Sequence, residues 1–316
     1  MLTKEDVYNG IWGLIIGDVL GVPVEFNSRE SLSINPVVDL RKDGSHRQPI
    51  GTWSDDTSMV LATIDALNYG YDLNSIAQNF MKWKFENKYT PHGRVFDIGF
   101  ATKMSIERLA KGIDPKVSGE FGEHNNGNGS LMRILPFVFQ FYNINDDKLI
   151  LEKIQEVSSI THAHFRSWFS CYIYTIMGIE LLSTKNKYTA LDNTIIRVNK
   201  TLSKKNYNPA ELKLFEKILS KEIIDLGENI IRSSGYVIHS IEASLWCLFQ
   251  NDNYKDCVLQ AVNLGEDTDT TAAITGGLAG ILFRLDSAPE QWKESIVKKD
   301  EIEIYIENFV KKLNLK

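Results

Sequence analysis

Cysteine is scarce in this 316-residue chain: Cys171, Cys247 and Cys257 are widely spaced, odd in number and form no CxxC pair. That argues against a disulfide framework and for buried free thiols in a reducing compartment, so a cytoplasmic protein is expected. Long apolar runs are also missing. The stretches 11–16 and 272–283 fall short of the about 20 residues a membrane span needs, and Met1 to Asp6 carries no signal-peptide pattern. No membrane partner is expected. Nor is there a basic surplus: the net charge is -6 and the pI near 5.6, which excludes gripping nucleic acid as the main task. Lysines gather late in the chain, at Lys185, Lys187, Lys200, Lys204, Lys205, Lys311 and Lys312, but acids are spread among them, as on a solvated helical face.

Two-residue alternation is almost absent, with one short extended candidate at Val37-Val38-Asp39-Leu40. Apolar residues recur instead at three and four. Thr3 and Asp6 form a capping-box pattern that opens a helix through Val7, Ile11, Leu14 and Ile15 and closes near Gly21-Val22-Pro23. Gly13, Gly17 and Gly21 lay a side-chain-free strip along that helix, where another helix or a ligand can approach closely. Residues 27–51 read as a long irregular connection of the kind that forms lids or binding loops. Beyond it the pattern predicts helices over 56–68, 73–87, 97–111, 129–142, 147–159, 164–183, 187–204, 209–220, 222–232, 236–250, 254–263, 269–285, 289–294 and 300–314. With no repeat and no Pro/Gly/Ser linker, the expectation is an all-α fold in a single domain over residues 1–316.

Asn263 to Thr271 places Glu266, Asp267 and Asp269 directly before an apolar helix, and no Lys or Arg occurs between Lys255 and Arg284. A buried carboxylate persists only when paired, hydrogen-bonded or metal-bound. About two hundred residues earlier, Trp53-Ser54-Asp55-Asp56-Thr57 forms a second acidic knot, also leading into an apolar helix. The two knots are expected to meet around divalent metal. Their donors are oxygens alone, which suit Mg²⁺, Mn²⁺ or Ca²⁺ and not Zn²⁺. The plainer alternative makes Asp55 and Asp267 helix N-caps.

Other metal and nucleotide motifs fail on inspection. An EF-hand starting at Asp267 would need Gly and Glu where Ala272 and Leu278 stand. There is no HExxH, and Gly127-Asn128-Gly129-Ser130 lacks the ending of a P-loop. That turn, ahead of a helix predicted from Leu131, is either a plain turn or an anion site suited to phosphate. His162 and His164 are either structural or, beside a phosphate, imidazole donors. Glu25 and Asp97 are single acids among apolar neighbours, open to tuning as acid or base or serving as cap and surface groups.

In order along the chain, Gly17-Asp18-Val19-Leu20-Gly21-Val22-Pro23-Val24-Glu25, Ser54-Asp55-Asp56-Thr57, Phe96-Asp97-Ile98-Gly99, Gly127-Asn128-Gly129-Ser130-Leu131-Met132-Arg133, Thr161-His162 and Gly265-Glu266-Asp267-Thr268-Asp269-Thr270 resemble the motif series of the ADP-ribosylglycohydrolases. The resemblance implies a compact orthogonal multi-helix globule holding two Mg²⁺ or Mn²⁺ ions in a cleft. By motif it implies Ser54, Asp55, Asp56, Asp267, Asp269 and Thr270 as metal ligands, with Ser54 standing where many relatives carry Thr. It also implies Gly127, Asn128, Gly129, Ser130 and His162 around a pyrophosphate, and Asp97 with Gly99 against the distal ribose. Glu25 matches an acid that in relatives lies at the metals or on a mobile flap. Glu266 departs from a common Gly-Gly-Asp form and adds charge beside the metals. His239 departs where an acidic or small residue is expected, and bears on substrate identity.

The activity so implied is removal of ADP-ribose from a modified protein or small conjugate by cleavage of the C1″ glycosidic bond, by a monomer. Glu25 and Asp97 share the roles of general base and acid without a firm assignment between them. An arginine N-linkage is favoured over a serine O-linkage. Hydrolysis of O-acetyl-ADP-ribose and immunity against an ADP-ribosylating toxin stay open. So do a catalytically silent ADP-ribose binder and a phosphohydrolase that cuts the pyrophosphate.

Overall fold

The computed structural model describes residues 1–204 and 206–315. Among them lie sixteen α-helices, four short 3-10 turns and no strand beyond isolated bridges. The all-α expectation holds.

The helix Lys4–Gly21 opens with the predicted capping box. Asp6 N donates to Thr3 Oγ1 at 3.2 Å, and Thr3 N donates back to Asp6 Oδ2 at 3.0 Å. Its length and apolarity would suit a bilayer span, but its surroundings are other helices, and nearly every residue from Gly10 to Gly21 is buried. The most extensive helix pairing in the fold is with Thr268–Phe283. The glycine strip makes it. A Cβ on Gly17 would fall 2.1 Å from Ala272 O, and one on Gly21 would fall 2.3 Å from Asp269 Cα. The partner helix answers with its own glycines, since a Cβ on Gly276 would lie 2.2 Å from Gly13 O. Thr268 Oγ1 donates to Gly21 O at 2.8 Å, which fixes the register of the pair, and Tyr254 Oη, from the helix Tyr254–Asn263, donates to Gly13 O at 2.7 Å.

Several predicted elements are shorter or broken. The stretch 27–51 contains a helix, Arg29–Ile34, and a 3-10 turn, Gly44–His46, while Val37 to Leu40 forms no strand. The helix predicted from 97 starts at Phe100, because Asp97 sits at φ 53 and Gly99 is extended. The helix predicted over 129–142 exists only as Pro136–Phe141. Proline is accepted in the first turn of a helix, whereas inside one its ring would clash with the carbonyl of Met132. The 209–220 pattern splits at Phe215, and 222–232 forms only two 3-10 turns separated by extended Gly227.

Gly17→Ala therefore tests the central seam. It is expected to lower unfolding free energy by about 1–3 kcal/mol or more through overpacking against backbone. Gly99→Ala, where an added Cβ meets nothing within 4 Å, should stay within about 0.5 kcal/mol. Urea unfolding of both variants decides, and equal stability for Gly17→Ala would mean that the seam is looser than this.

Candidate active site

Helix termini carry both acidic knots. Ser54, not Asp55, caps the helix Asp55–Leu67, its Oγ accepting from Asp56 N at 3.2 Å. The carboxylates of Asp55 and Asp56 are thereby free of capping duty. Asp267 stands at the N-cap position of Thr268–Phe283, yet its side chain caps nothing and instead accepts from Asn128 Nδ2 at 2.6 Å. The N-cap alternative fails at both knots.

The seam brings a further acid between them. Asp18 is fully buried and accepts from Ser54 N at 3.0 Å, Thr57 N at 3.1 Å and Thr57 Oγ1 at 2.6 Å. By sequence Asp18 is part of the Gly17–Glu25 motif with no role of its own. Carboxylate oxygens of Asp18, Asp56 and Asp269 lie within 4.8 Å of one another, and so do those of Glu25, Asp267 and Asp269. The two groups share Asp269. Thr270 adjoins both Asp56 and Asp267 through its hydroxyl.

Charge crowding at this place is severe. Burial, and then mutual repulsion, holds Asp55, Asp56 and Asp269 well above the ordinary carboxyl range. Burial pushes Asp18 up to about 6 despite its donors, and pushes Glu25 up to about 7 although His46 bonds to it. Asp97 and Asp267 are also raised, burial first. Two buried oxygens, Asp56 Oδ1 and Asp269 Oδ2, have no hydrogen-bond partner. Orphaned oxygens in an all-oxygen donor set fit a hard divalent cation. Asp18 differs, because its lone pairs already accept from the first knot. It orients that knot.

A cleft of about 690 Å³ opens from these acids, within the usual size of a small-molecule site. Glu25, Asp55, Asp97, Asp267 and Thr270 line it together with Gly99, Gly127, Asn128, Gly129 and His162. Asn128 ties the glycine turn to the second knot, since its Nδ2 donates to Asp267 Oδ2 at 2.6 Å as well as to Ser240 Oγ at 2.9 Å. The glycine turn does not start an α-helix, so the anion site expected from a helix dipole reduces to a single turn with backbone N–H groups. Ser130 departs from the expectation: it is fully buried, does not line the cleft, and its Oγ accepts from Ser158 Oγ at 2.9 Å. Gly129 has no room for a side chain, because a Cβ there would lie 2.8 Å from His162 Cε1.

His162 is buried, and burial followed by the nearby Arg133 charge pulls its pKa down to about 3, so it is neutral. Its Nδ1 pairs with the Thr161 hydroxyl at 2.8 Å, and Nε2 is its atom nearest Gly127. His164 instead caps the helix Phe165–Thr184, its Nδ1 accepting from Arg166 N. Both departures find their places. Glu266 is exposed on the cleft rim at φ 61, and its backbone holds Asn27 O at 2.7 Å and Phe26 N at 2.6 Å. Its charge is thus on the rim and not among the buried acids. His239 lines a separate cavity of about 570 Å³ with Lys217 and Glu242, and its Nδ1 pairs with Ser234 Oγ at 2.7 Å.

A model of the ADP-ribosylglycohydrolase family matches residues 2–316. The chain belongs to that family. It is 30% identical over 298 residues to the ADP-ribosylarginine hydrolase Tri1 of Serratia proteamaculans, covering 92% of this chain and 75% of that protein. To the protein of the same description from Pseudomonas putida it is 31% identical over 316 residues, covering 96% and 78%. The ADP-ribosyl-[dinitrogen reductase] glycohydrolase of Rhodospirillum rubrum is 26% identical, over 92% of this chain and 90% of that one. A solved ADP-ribosylglycohydrolase-related protein complex shares the fold, with TM-score 0.80, 24% identity and 98% coverage of both chains. The protein is thus an enzyme of the ADP-ribosylglycohydrolase class, whose members cleave glycosidic bonds.

The raised carboxyl values set a testable pH dependence for this glycohydrolase. In the folded state these acids keep protons that the unfolded chain releases above its carboxyl values near 4. Their contribution to stability is therefore present at low pH and is lost as pH climbs through the folded values, about 7 for Glu25 and well above the ordinary carboxyl range for Asp55, Asp56 and Asp269. The buried histidines His162 and His239 act oppositely, but only below their ordinary value near 6.5. In excess chelator the melting temperature should accordingly be higher at pH about 6.5 than at pH about 8, by on the order of 1 kcal/mol in stability. Added Mg²⁺ should close most of that gap. A flat chelated profile would show that the acids are not strained by charge.

Proposed function

We propose that this enzyme hydrolyses the N-glycosidic bond between ADP-ribose and an arginine side chain, with two Mg²⁺ or Mn²⁺ ions bound. The observation that carries the reading is a single cleft lined by acids of the buried cluster, by a glycine turn and by a neutral imidazole. Support for the arginine linkage comes from the two Tri1 relatives.

The substrate pyrophosphate lies against the Gly127–Ser130 turn, within reach of backbone N–H groups and His162 Nε2. The distal ribose then extends over the acids. Ser54, Asp55, Asp56, Asp267, Asp269 and Thr270 would hold the ions, with Asp18 orienting the first knot. When bound, such ions supply positive charge that orients ribose hydroxyls and favours deprotonation of water.

Cleavage of C1″–N places positive charge on the ribose, and the surrounding carboxylates stabilise it. The substituted guanidinium is itself cationic, so Asp97 serves as its counterion at the cleft wall. It departs with the bonding pair as neutral guanidine. Glu25, whose pKa burial pushes up to about 7, in its ionised form takes a proton from the water that attacks C1″, and that proton is returned to the guanidine. The products are free ADP-ribose and an unmodified arginine.

Arginine-linked and serine-linked ADP-ribosyl proteins, each incubated with enzyme and Mg²⁺ or Mn²⁺, should separate the linkages, free ADP-ribose appearing from the arginine form. Asp55→Ala, Asp269→Ala and excess chelator are each expected to abolish release, and Glu25→Gln to lower kcat by about 10²–10⁴. Full activity in chelator would sink the metal assignment. AMP as product would move the cut to the pyrophosphate, and metal-dependent thermal stabilisation without any release would leave only a binder.

A further inference from the structure

His46 lies in the 3-10 turn Gly44–His46, inside the stretch that the sequence presents only as a polar connection. We propose that His46 is a positioning residue for both Glu25 and Asp97, one imidazole keeping the two acids in the cleft. This rests on the reading of Glu25 and Asp97 as the reacting acids.

The geometry is specific. His46 Nε2 hydrogen-bonds Glu25 Oε2, and the imidazole ring packs between two phenyl rings, Phe26 at 5.7 Å and Phe96 at 5.4 Å between centroids. Phe26 follows Glu25 and Phe96 precedes Asp97, so a single ring touches both acid-bearing segments. The ligand atoms of Glu25, His46 and Asp97 also lie within 4.8 Å of one another. A cationic imidazole and the neutral Nε2–H tautomer both donate this bond, and a bare Nε2 can accept it from a protonated Glu25, so the pairing is not confined to one charge state.

The turn is anchored from behind. Ser45 Oγ donates to the Glu25 carbonyl, and Gln48 Nε2 donates to His46 O at 2.9 Å. Asp43 and Gln48 close the loop with a backbone pair, Asp43 N to Gln48 O at 2.7 Å and Gln48 N to Asp43 O at 3.3 Å. Gly44, at φ 60, lets this loop pack directly on the Val22–Val24 turn, where a Cβ would fall 1.8 Å from Pro23 O.

Both acid segments require such holding. Phe26 and Asp97 have left-handed backbones, at φ 66 and 53, which non-glycine residues adopt only when their surroundings impose it. Phe26 is 70% exposed, so little besides His46 covers its ring. Repulsion from Asp97 and Asp267 also works to drive the Glu25 carboxylate out of the cleft. The imidazole bond opposes that.

His46→Leu and His46→Gln, assayed beside Glu25→Gln on arginine-linked ADP-ribosyl protein, test the proposal. His46→Leu is expected to lower kcat about 10–100-fold, as loss of an orienting partner does in other sites, with KM within about threefold and melting within a few degrees. His46→Gln, which keeps an N–H donor, should recover most of the loss. In the Glu25→Gln background, His46→Leu should lower kcat by less than in the parent, the remaining loss being the part that acts through Asp97. Parent-like kcat in His46→Leu with an inactive Glu25→Gln overturns the positioning role and leaves the proposed function intact. A fully active Glu25→Gln removes the role of Glu25 as a reacting acid and the positioning role with it, while release of ADP-ribose in that assay keeps the proposed linkage. Crystal structures of the His46 variants give a readout independent of turnover: a Glu25 carboxylate still in place in His46→Leu would overturn the proposal even if no substrate had been found.

Discussion

Backbone contact between the helices Lys4–Gly21 and Thr268–Phe283 is the constraint on which this site depends. Helices usually pack with side chains between them at 8–10 Å. Here carbonyls of one helix occupy the space where Cβ atoms of the other would be, at Gly13, Gly17 and Gly276. The close approach sets Gly21 against Asp269 and, one turn earlier, allows Asp18 to reach Asp56 and Asp269. A wider separation would part those carboxylates. The seam thus determines the spacing of the acid cluster.

That spacing is unfavourable by itself. Buried like charges raise one another's pKa, and desolvation raises them further. Part of the cost is offset within the protein: the first turn of Asp55–Leu67 directs N–H groups at Asp18, and Asn128 donates to Asp267. No such partner reaches Asp56 Oδ1 or Asp269 Oδ2. What the fold leaves unbalanced there, a proton or a cation must balance, and a site strained in this way is where function is expected to concentrate.

The glycine strip and the two knots were legible in the sequence because each is a local pattern with a steric or electrostatic meaning. Asp18 was not, although it lies between Gly17 and Val19. Its importance comes from the helix register that carries it to Ser54 and Thr57, and register is a property of two chain segments. His46 was hidden for a related reason: a polar loop gives no periodicity, and the partners of His46 come from Glu25, Phe26 and Phe96. The helix predicted from 129 failed where apolar periodicity outweighed the proline at 136. His239, a departure by motif, faces another cavity, because motif order carries no direction.

The failure at 129 bears on how an anion would be held. Without a helix behind it, the Gly127–Ser130 turn draws no macrodipole, but it has Arg133 beneath it. That guanidinium is fully buried, lies 4.8 Å from the centre of the Phe80 ring, and donates from Nη1 to Gly129 O and from Nη2 to Val157 O. Burial lowers its pKa only to about 10, so it stays charged at neutral pH. A buried charge bound to carbonyls is costly, yet here it has two effects on the cleft. It ties the Gly129 carbonyl back toward the core, and it adds to the burial that keeps His162 neutral. A neutral imidazole therefore lines the cleft beside the turn. The positive potential that a helix terminus would have supplied thus comes from a cation held within the protein, out of reach of the acids across the cleft by direct bonding but close enough to act through the turn.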